Sequence, residues 1–279
     1  MFVVCVGEKV RVAILAGGWG TRFAEETDVR PKPMIEIGDK PILWHIMMQY
    51  YASGFKDFAI ALGYKGDVIK RWMIEFAQFQ GDLRISTASG EVRRFYPETP
   101  EWNIDLVETG LYTNTGGRVK ALADNIGRER FFLSWGDGVS DIDLNALLAF
   151  HEAHGKLATM TVVHPPARFG HVELHDNHIT EFNEKPQAAE GWINGGYFVL
   201  EPGIFDYIEG PDTAFERAPL EHLARDGQLM AFKHDGFWQC MDTLRDKRLL
   251  NKIWDTGEAP WATWEAAESA SLSRVTAAT

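Results

Sequence analysis

The segment Val12 to Arg22 reads VAILAGGWGTR and decides the fold. Its first residues, Val12 to Ala16, form a β-rich apolar run, which Gly17 and Gly18 stop at a turn that contains three glycines. Glycines let backbone N–H groups approach a phosphate chain closely, and the Arg22 guanidinium can bind a phosphate with two hydrogen bonds. A strand that enters such a turn indicates a phosphate-binding loop, whereas the simpler alternative is a tight turn between a strand and a helix.

Two familiar phosphate-binding motifs do not match this turn. A Walker A loop requires Gly-Lys-Ser/Thr after its second glycine, and that tripeptide does not follow here. The motif G-x-G-x-x-G of dinucleotide-binding domains can start at Gly18, but its third glycine falls on Phe23. The missing glycine disfavours a nicotinamide-dependent oxidoreductase.

Outward from this loop, short apolar runs alternate with helical patterns as far as Val163, which is typical of βα units on a parallel sheet. The predicted strands of this part are Val12–Ala16, Phe58–Leu62, Phe131–Trp135 and Ala158–Val163, and the predicted helices are Pro41–Ala52, Asp67–Phe79, Arg118–Ile126 and Leu144–His154. Later predicted strands are His171–Leu174, His178–Phe182, Trp192–Leu200 and Leu229–Lys233, with one helix at Glu216–Arg225. The pattern predicts an α/β fold: a Rossmann-like, three-layer α/β/α core with a mostly parallel sheet and a small β-rich lobe.

Composition restricts the class of protein. The 279 residues include 28 Lys and Arg against 40 Asp and Glu, which gives a net charge of −12. That charge disfavours nucleic acid as a partner, because a basic stripe is the usual footprint of such binding. No apolar run approaches the ~18 residues of a membrane span, and the start lacks the basic region of a signal peptide. Cys5 and Cys240 form neither a disulfide framework nor a zinc motif, so we expect a cytoplasmic protein.

A second cationic segment, Arg30 to Met34, reads RPKPM. Its two prolines favour an extended backbone, in which Arg30 and Lys32 point to the same side. This predicts a rigid pair of cations for a polyphosphate, with a solvated loop as the alternative.

Asp137 follows a predicted central strand at the end that faces the ligand crevice of open α/β sheets. A carboxylate there suits Mg²⁺, although Asp-Gly is also a common turn sequence.

Three segments together, Gly17–Arg22, Pro31–Met34 and Lys40–Leu43, resemble the sugar-1-phosphate nucleotidylyltransferases. Within that family the chain is most similar to members that use CTP and glucose 1-phosphate, and the similarity runs from about Val12 to about Glu265. The segments behind the narrower resemblance are Glu25–Thr27, Trp44–Met47, Thr115–Arg118, Gly136–Val139, Phe237–Gln239 and Met241–Lys247. The resemblance implies the reaction of CTP with α-D-glucose 1-phosphate to give CDP-glucose and pyrophosphate, for deoxysugars of a bacterial surface polysaccharide.

The resemblance also implies a role for individual residues. Mg²⁺ would be held between Asp137 and Asp242, and Arg22 and Lys32 would be catalytic. The implied nucleotide-binding residues are Leu15, Ala16, Gly17, Gly18, Trp19, Gly20, Thr21, Arg22, Lys32, Thr113, Thr115, Arg118 and Gly136, and the implied sugar-phosphate residues are Glu184, Lys185, Asn194 and Gly195. Two alternatives stay open: the same reaction with dTTP or UTP, and a catalytically silent nucleotide-sugar sensor. The presence of both aspartates argues against the sensor.

For domain organisation we expect one nucleotidylyltransferase domain over residues 1–265, with a nucleotide-binding half at 12–160 and a sugar-binding half at 161–265. Residues 266–279 are mostly Ala, Ser and Thr and predict a loose tail.

Trp261 and Trp264 predict a C-terminal segment packed on the body or on a neighbour. His151 and His154 lack the spacing of a zinc site, so we expect them to be solvent-facing or hydrogen-bonded. The resemblance implies a homo-oligomer, specifically a hexamer.

Overall fold

The computed structural model describes residues 10–20, 23–95, 99–165, 171–175, 178–183 and 191–264. Its strands are β1 (Arg11–Leu15), β2 (Glu36–Ile37), β3 (Lys40–Pro41), β4 (Asp57–Leu62), β5 (Asp82–Ile85), β6 (Val92–Phe95), β7 (Asn103–Glu108), β8 (Phe131–Trp135), β9 (Gly138–Ser140), β10 (Ala158–Val163), β11 (His171–His175), β12 (His178–Asn183), β13 (Ile193–Leu200), β14 (Leu229–His234) and β15 (Trp238–Cys240). Its α-helices are α1 (Ala24–Thr27), α2 (Ile42–Ala52), α3 (Gly66–Phe79), α4 (Thr115–Ala121), α5 (Ala123–Ile126), α6 (Leu144–His154), α7 (Ala218–Arg225) and α8 (Leu244–Trp254).

The centre of the fold is a seven-stranded sheet with the order β14-β10-β13-β8-β1-β4-β7. Neighbouring strands are parallel except at β13, which is antiparallel to both β10 and β8. Successive side chains of β1 point to opposite faces, and Val12, Ala13 and Ile14 are all fully buried. A strand buried on both faces requires a helical layer on each side of the sheet.

The two layers are visible in the two apolar cores. One core packs α2, α3, α6 and α8 against the face that carries Val12 and Ile14. The other packs α4, α5 and α7 against the face that carries Ala13. The predicted three-layer α/β fold with a mostly parallel sheet is therefore confirmed.

Most of the predicted elements are present with small shifts at their ends. The strands Phe131–Trp135 and Ala158–Val163 and the helix Leu144–His154 have the predicted bounds. The predicted helix Arg118–Ile126 was wrong as a single element, because the chain forms α4 from Thr115 and then α5, with a break at Leu122.

The C-terminal tryptophans pack on the body of this chain, as one of the two predicted alternatives. Trp261 is fully buried and Trp264 is 6% exposed. Both rings contact the buried His45, whose Nδ1 accepts a hydrogen bond from the Trp261 indole N–H at 3.3 Å. Within the described parts of the chain, every helix is too short or too polar to span a bilayer.

Candidate active site

The two predicted metal-binding aspartates lie side by side. Asp137 follows the carboxyl end of β8, a central strand, and Asp242 follows β15. Between them β9 and β15 form an antiparallel pair, in which Gly138 is opposite Cys240. The pairing brings together two loops from distant parts of the sequence.

The side chain of Lys32 joins the two carboxylates. Its Nζ lies 2.5 Å from Asp137 Oδ2 and 2.5 Å from Asp242 Oδ1. The lysine side chain is only 13% exposed. Burial alone would lower the pKa of Lys32, but the charges and hydrogen bonds of Asp137 and Asp242 raise it above its usual value. The ammonium therefore stays charged and forms an ion pair with both carboxylates, one positive charge against two negative charges.

The predicted pair of cations at Arg30 and Lys32 was wrong. Pro31 is extended, but a 3-10 turn begins at Lys32, so the two side chains diverge. Arg30 forms an ion pair with Glu36 at 2.7 Å and lies outside the site, whereas Lys32 points to the aspartates. The segment from Arg30 to Met34 therefore supplies one cation to the site, the ammonium of Lys32.

A cavity of about 450 Å³, here called the glycine-loop cavity, opens at the carboxyl ends of the central strands. Every described residue that the resemblance assigned to the nucleotide lines it. These residues are Leu15, Ala16, Gly17, Gly18, Trp19, Gly20, Lys32, Thr113, Thr115, Arg118 and Gly136. Both aspartates line it as well, and Thr21 and Arg22 lie outside the described residues.

Arg118 packs against the glycine loop from inside the protein. Its guanidinium donates hydrogen bonds to the carbonyl oxygens of Leu62 at 3.0 Å and Gly110 at 2.7 Å, and the side chain is buried, which lowers its pKa. A Cβ atom on Gly17 would lie 2.6 Å from Arg118 Cζ, whereas one on Gly18 would meet nothing within 4 Å. The guanidinium thus requires glycine at the first position and leaves the second open to the cavity.

A second cavity of about 420 Å³, here called the β13 cavity, lies on the other side of the aspartates. It contains the predicted residues Asn194 and Gly195 and shares Trp135, Asp137 and Asp242 with the glycine-loop cavity. The predicted residues Glu184 and Lys185 lie outside the described residues. The two cavities therefore meet at the carboxylate pair.

Three residues that were not predicted as site residues shape these cavities. Trp135 lines both, Trp238 donates its indole N–H to the carbonyl oxygen of Gly195 at 2.7 Å, and Glu216 Oε2 accepts a hydrogen bond from Thr115 Oγ1 at 2.6 Å. Two of them had a sequence signal: Trp135 is the last residue of the strand that precedes Gly136, and Trp238 lies in Phe237–Gln239, one of the segments that carry the resemblance.

The comparison with known families agrees with this arrangement. The family described as nucleotidyl transferase matches residues 11–255. The chain belongs to this family. This nucleotidyl transferase is 48% identical to the glucose-1-phosphate cytidylyltransferase of Salmonella typhimurium over 257 residues, which are 92% of this chain and all of the relative. A Bacillus subtilis protein, described as a probable glucose-1-phosphate cytidylyltransferase, is 41% identical over 91% of this chain and all of the relative. The resemblance predicted from the sequence is confirmed.

Solved structures share the fold of this nucleotidyl transferase. HddC from Yersinia pseudotuberculosis superposes with a TM-score of 0.65 at 22% identity, over 88% of this chain and 99% of that one. UDP-glucose pyrophosphorylase in complex with UDP-glucose gives a TM-score of 0.62 at 16% identity, over 90% of this chain and all of that one. At these identities the likeness concerns the fold alone.

Proposed function

We propose that this nucleotidyl transferase converts CTP and α-D-glucose 1-phosphate to CDP-glucose and pyrophosphate. Relatives named for this activity align with the chain over nearly its whole length, at 48% and 41% identity. The structural observation that carries the proposal is the meeting of two cavities at Asp137 and Asp242. A reaction that joins two phosphorylated substrates needs two compartments that meet where the new bond forms.

The proposed chemistry is an in-line displacement at phosphorus. A phosphate oxygen of glucose 1-phosphate attacks the α-phosphorus of CTP, the bond to the β-phosphate bridging oxygen breaks, and pyrophosphate leaves. The attacking oxygen is already anionic at neutral pH, so no strong general base is required. The protein contributes orientation and neutralisation of charge.

Each part of the site receives a role in this proposal. The backbone N–H groups of the loop from Gly17 to Gly20 would bind the nucleotide phosphates, together with Thr21, Arg22 and the ammonium of Lys32. On the other side, Asn194 and Gly195 would face the sugar, with Glu184 on its hydroxyl groups and Lys185 on its phosphate.

The carboxylate pair fits Mg²⁺. Asp137 and Asp242 already contact one cation, the Lys32 ammonium, so they converge on a common point. Within the described residues no group of three or more His, Cys, Asp or Glu can hold a metal, so the described side chains alone supply an incomplete set of ligands. Mg²⁺ commonly binds one or two carboxylates and completes its shell with substrate phosphates and water. When bound, it would neutralise phosphate charge in the transition state.

Selectivity for cytosine would come from hydrogen bonds at the edge of the base. At that edge cytosine carries an amine where uracil carries a carbonyl group. Carbonyl oxygens of the glycine loop and of the segment from Thr113 to Arg118 are the proposed acceptors for that amine. A uracil carbonyl would leave them unpaired and desolvated, and such polar sites discriminate by roughly 10⁴ or more.

A pyrophosphate-release assay with four nucleoside triphosphates and several sugar 1-phosphates tests the proposed function. We expect the highest kcat/KM with CTP and glucose 1-phosphate. A preference for UTP or dTTP would overturn the cytidylyl assignment and leave the phosphate chemistry intact. Absence of release with every pair would favour the silent sensor.

We also propose that the chain works in the cytoplasm as a homo-oligomer, with the hexamer as the expected state. Light scattering during size-exclusion chromatography measures the mass of the particle in solution. A measured mass of 31.5 kDa, which is the mass of one chain, would contradict an oligomer.

A further inference from the structure

Three aromatic rings form a stacked row at the carboxyl edge of the central sheet. Trp19, Tyr64 and Tyr112 follow β1, β4 and β7, which are neighbours in the sheet. The ring centroids of Trp19 and Tyr64 are 4.9 Å apart with 23° between the planes. Those of Trp19 and Tyr112 are 5.9 Å apart with 30° between the planes. The row thus spans the ends of three adjacent strands.

The inner ring of the row is firmly held. Tyr64 donates its hydroxyl proton to the carbonyl oxygen of Thr27 at 3.1 Å, and its backbone N–H donates to Gly17 at 3.1 Å. The ammonium of Lys65 lies 5.1 Å from the centre of the Tyr64 ring. Tyr64 is therefore a fixed support for one face of Trp19.

The outer ring is weakly held. Tyr112 is 82% exposed, and among the described residues its one ring contact is with Trp19, with no hydrogen bond to its hydroxyl group. Trp19 is itself 43% exposed. Both rings line the glycine-loop cavity. Two large rings left this exposed at the wall of a cavity are suited to a planar ligand that covers them.

We propose that the base of the nucleotide stacks on the face of Trp19 that Tyr112 covers, and that Tyr112, which among the described residues is held only by this ring contact, moves outward and covers the base from the solvent side. This inference rests on the proposed function, because it places the nucleotide in the glycine-loop cavity. Stacking on an aromatic ring tolerates any base, since every base has a π face. Trp19 and Tyr112 are therefore positioning residues that set nucleotide affinity, whereas the base edge sets selectivity.

The test compares Trp19→Leu, Tyr112→Ser and the ring-preserving Trp19→Phe with the unaltered chain. Calorimetry with CTP and Mg²⁺, without sugar phosphate, measures the Kd, and steady-state assays measure kcat and KM for CTP and UTP. Loss of one base–aromatic stack typically weakens binding about tenfold. We expect that rise in Kd and KM for Trp19→Leu, a smaller rise for Tyr112→Ser, and an unchanged kcat and CTP-to-UTP ratio in both. Trp19→Phe should restore most of the affinity.

Phe79→Leu is the matched control, because Phe79 is 60% exposed and lines neither of the two cavities. It should bind CTP as the unaltered chain does. If the unaltered chain binds CTP and Trp19→Leu binds it equally well, the stacking role is wrong while the proposed function stands. A changed CTP-to-UTP ratio in Trp19→Leu would also overturn the assignment of Trp19 to affinity alone. If the unaltered chain neither binds CTP nor releases pyrophosphate, the proposed function itself fails.

Discussion

The backbone N–H of Met241 donates a hydrogen bond to the carbonyl oxygen of Asp137 at 2.8 Å. This bond extends the β9–β15 pair by one step and places Asp242, the next residue, beside Asp137. The backbone therefore sets the separation of the two carboxylates, and Lys32 responds to that arrangement rather than creating it. Side-chain substitutions at these three positions should accordingly change the charge of the site and leave the fold in place.

The first prediction concerns the two aspartates. Asp137→Asn and Asp242→Asn should each abolish Mg²⁺-dependent pyrophosphate release, because asparagine keeps the shape and removes the charge that holds a hard cation. Asp143→Asn is the matched control: Asp143 caps α6 with a hydrogen bond from Ala146 N at 2.9 Å, and asparagine caps helices equally well. Normal activity and normal Mg²⁺ dependence in either aspartate variant would identify that residue as a turn aspartate.

The second prediction concerns Lys32. Lys32→Ala should lower kcat by roughly 10²–10³, which is the usual cost of removing one preorganised electrostatic contact to the transition state. Circular dichroism should show an intact fold. Lys40→Ala is the control, because Lys40 pairs with the exposed Asp39 and lines neither cavity. A purified Lys32→Ala variant with the turnover of the parent would refute the role of Lys32.

The third prediction compares the stability of two variants in which alanine replaces one of two neighbouring glycines, Gly17 or Gly18. Gly17→Ala should lower the free energy of unfolding by about 1–3 kcal/mol, because its Cβ would lie 2.9 Å from the backbone nitrogen of Gly63 and would press on the buried guanidinium of Arg118, which is held by hydrogen bonds. Gly18→Ala should unfold as the parent does, since the space around Gly18 is open. Urea titrations of the two variants make the comparison, and equal stabilities would show that the packing around Gly17 tolerates a side chain.

The fourth prediction is a loss of stability in weak acid. His45 is fully buried, its Nε2–H donates to the carbonyl oxygen of Ile37 at 3.0 Å, and burial lowers its pKa from 6.5 to about 4. Burial likewise lowers the pKa of His151 to about 4. Each ring takes up a proton on unfolding between these values, so stability is complete above pH 6.5 and falls as the pH drops toward 4, by about 1.4 kcal/mol per pH unit per ring at most.

The variant His45→Phe measures how much of this loss of stability in weak acid comes from His45. The variant should be less stable than the parent at pH 7.5, because it loses two hydrogen bonds, but its further loss between pH 6.5 and pH 4 should be less steep than that of the parent, because only His151 and His154 of these rings remain to take up a proton on unfolding. Urea unfolding at several pH values gives both slopes. Parallel slopes for the variant and the parent would mean that His45 is protonated in the folded protein.

Periodicity and turn residues were sufficient to predict the core of the fold. The run from Val12 to Ala16 and the glycines after it identify β1 and its loop, because an apolar β-rich stretch that ends in glycines leaves few alternatives. Elements with weaker patterns were not predicted. Helix α8 has a capping box in which Thr243 and Asp246 bond reciprocally, and Thr-x-x-Asp in the sequence was a usable signal for it.

The site was predicted less evenly than the fold. The glycine loop and Asp137 carry local signals, since each follows a strand directly. The pairing of Asp137 with Asp242 came from the resemblance alone, because it depends on the β9–β15 register and no local pattern encodes a long-range register. Arg30 illustrates the same limit: proline indicated an extended backbone at Pro31 but gave no warning of the turn that begins at Lys32.

Diffraction from crystals grown with CDP-glucose and Mn²⁺ in place of Mg²⁺ tests whether the two cavities meet at a metal held by Asp137 and Asp242, because anomalous scattering locates the metal independently of the ligand. We expect one Mn²⁺ that contacts carboxylate oxygens of both Asp137 and Asp242 and the diphosphate, with cytidine in the glycine-loop cavity and glucose in the β13 cavity. A metal bound away from either aspartate, or the two halves of the ligand in any other arrangement, would contradict it.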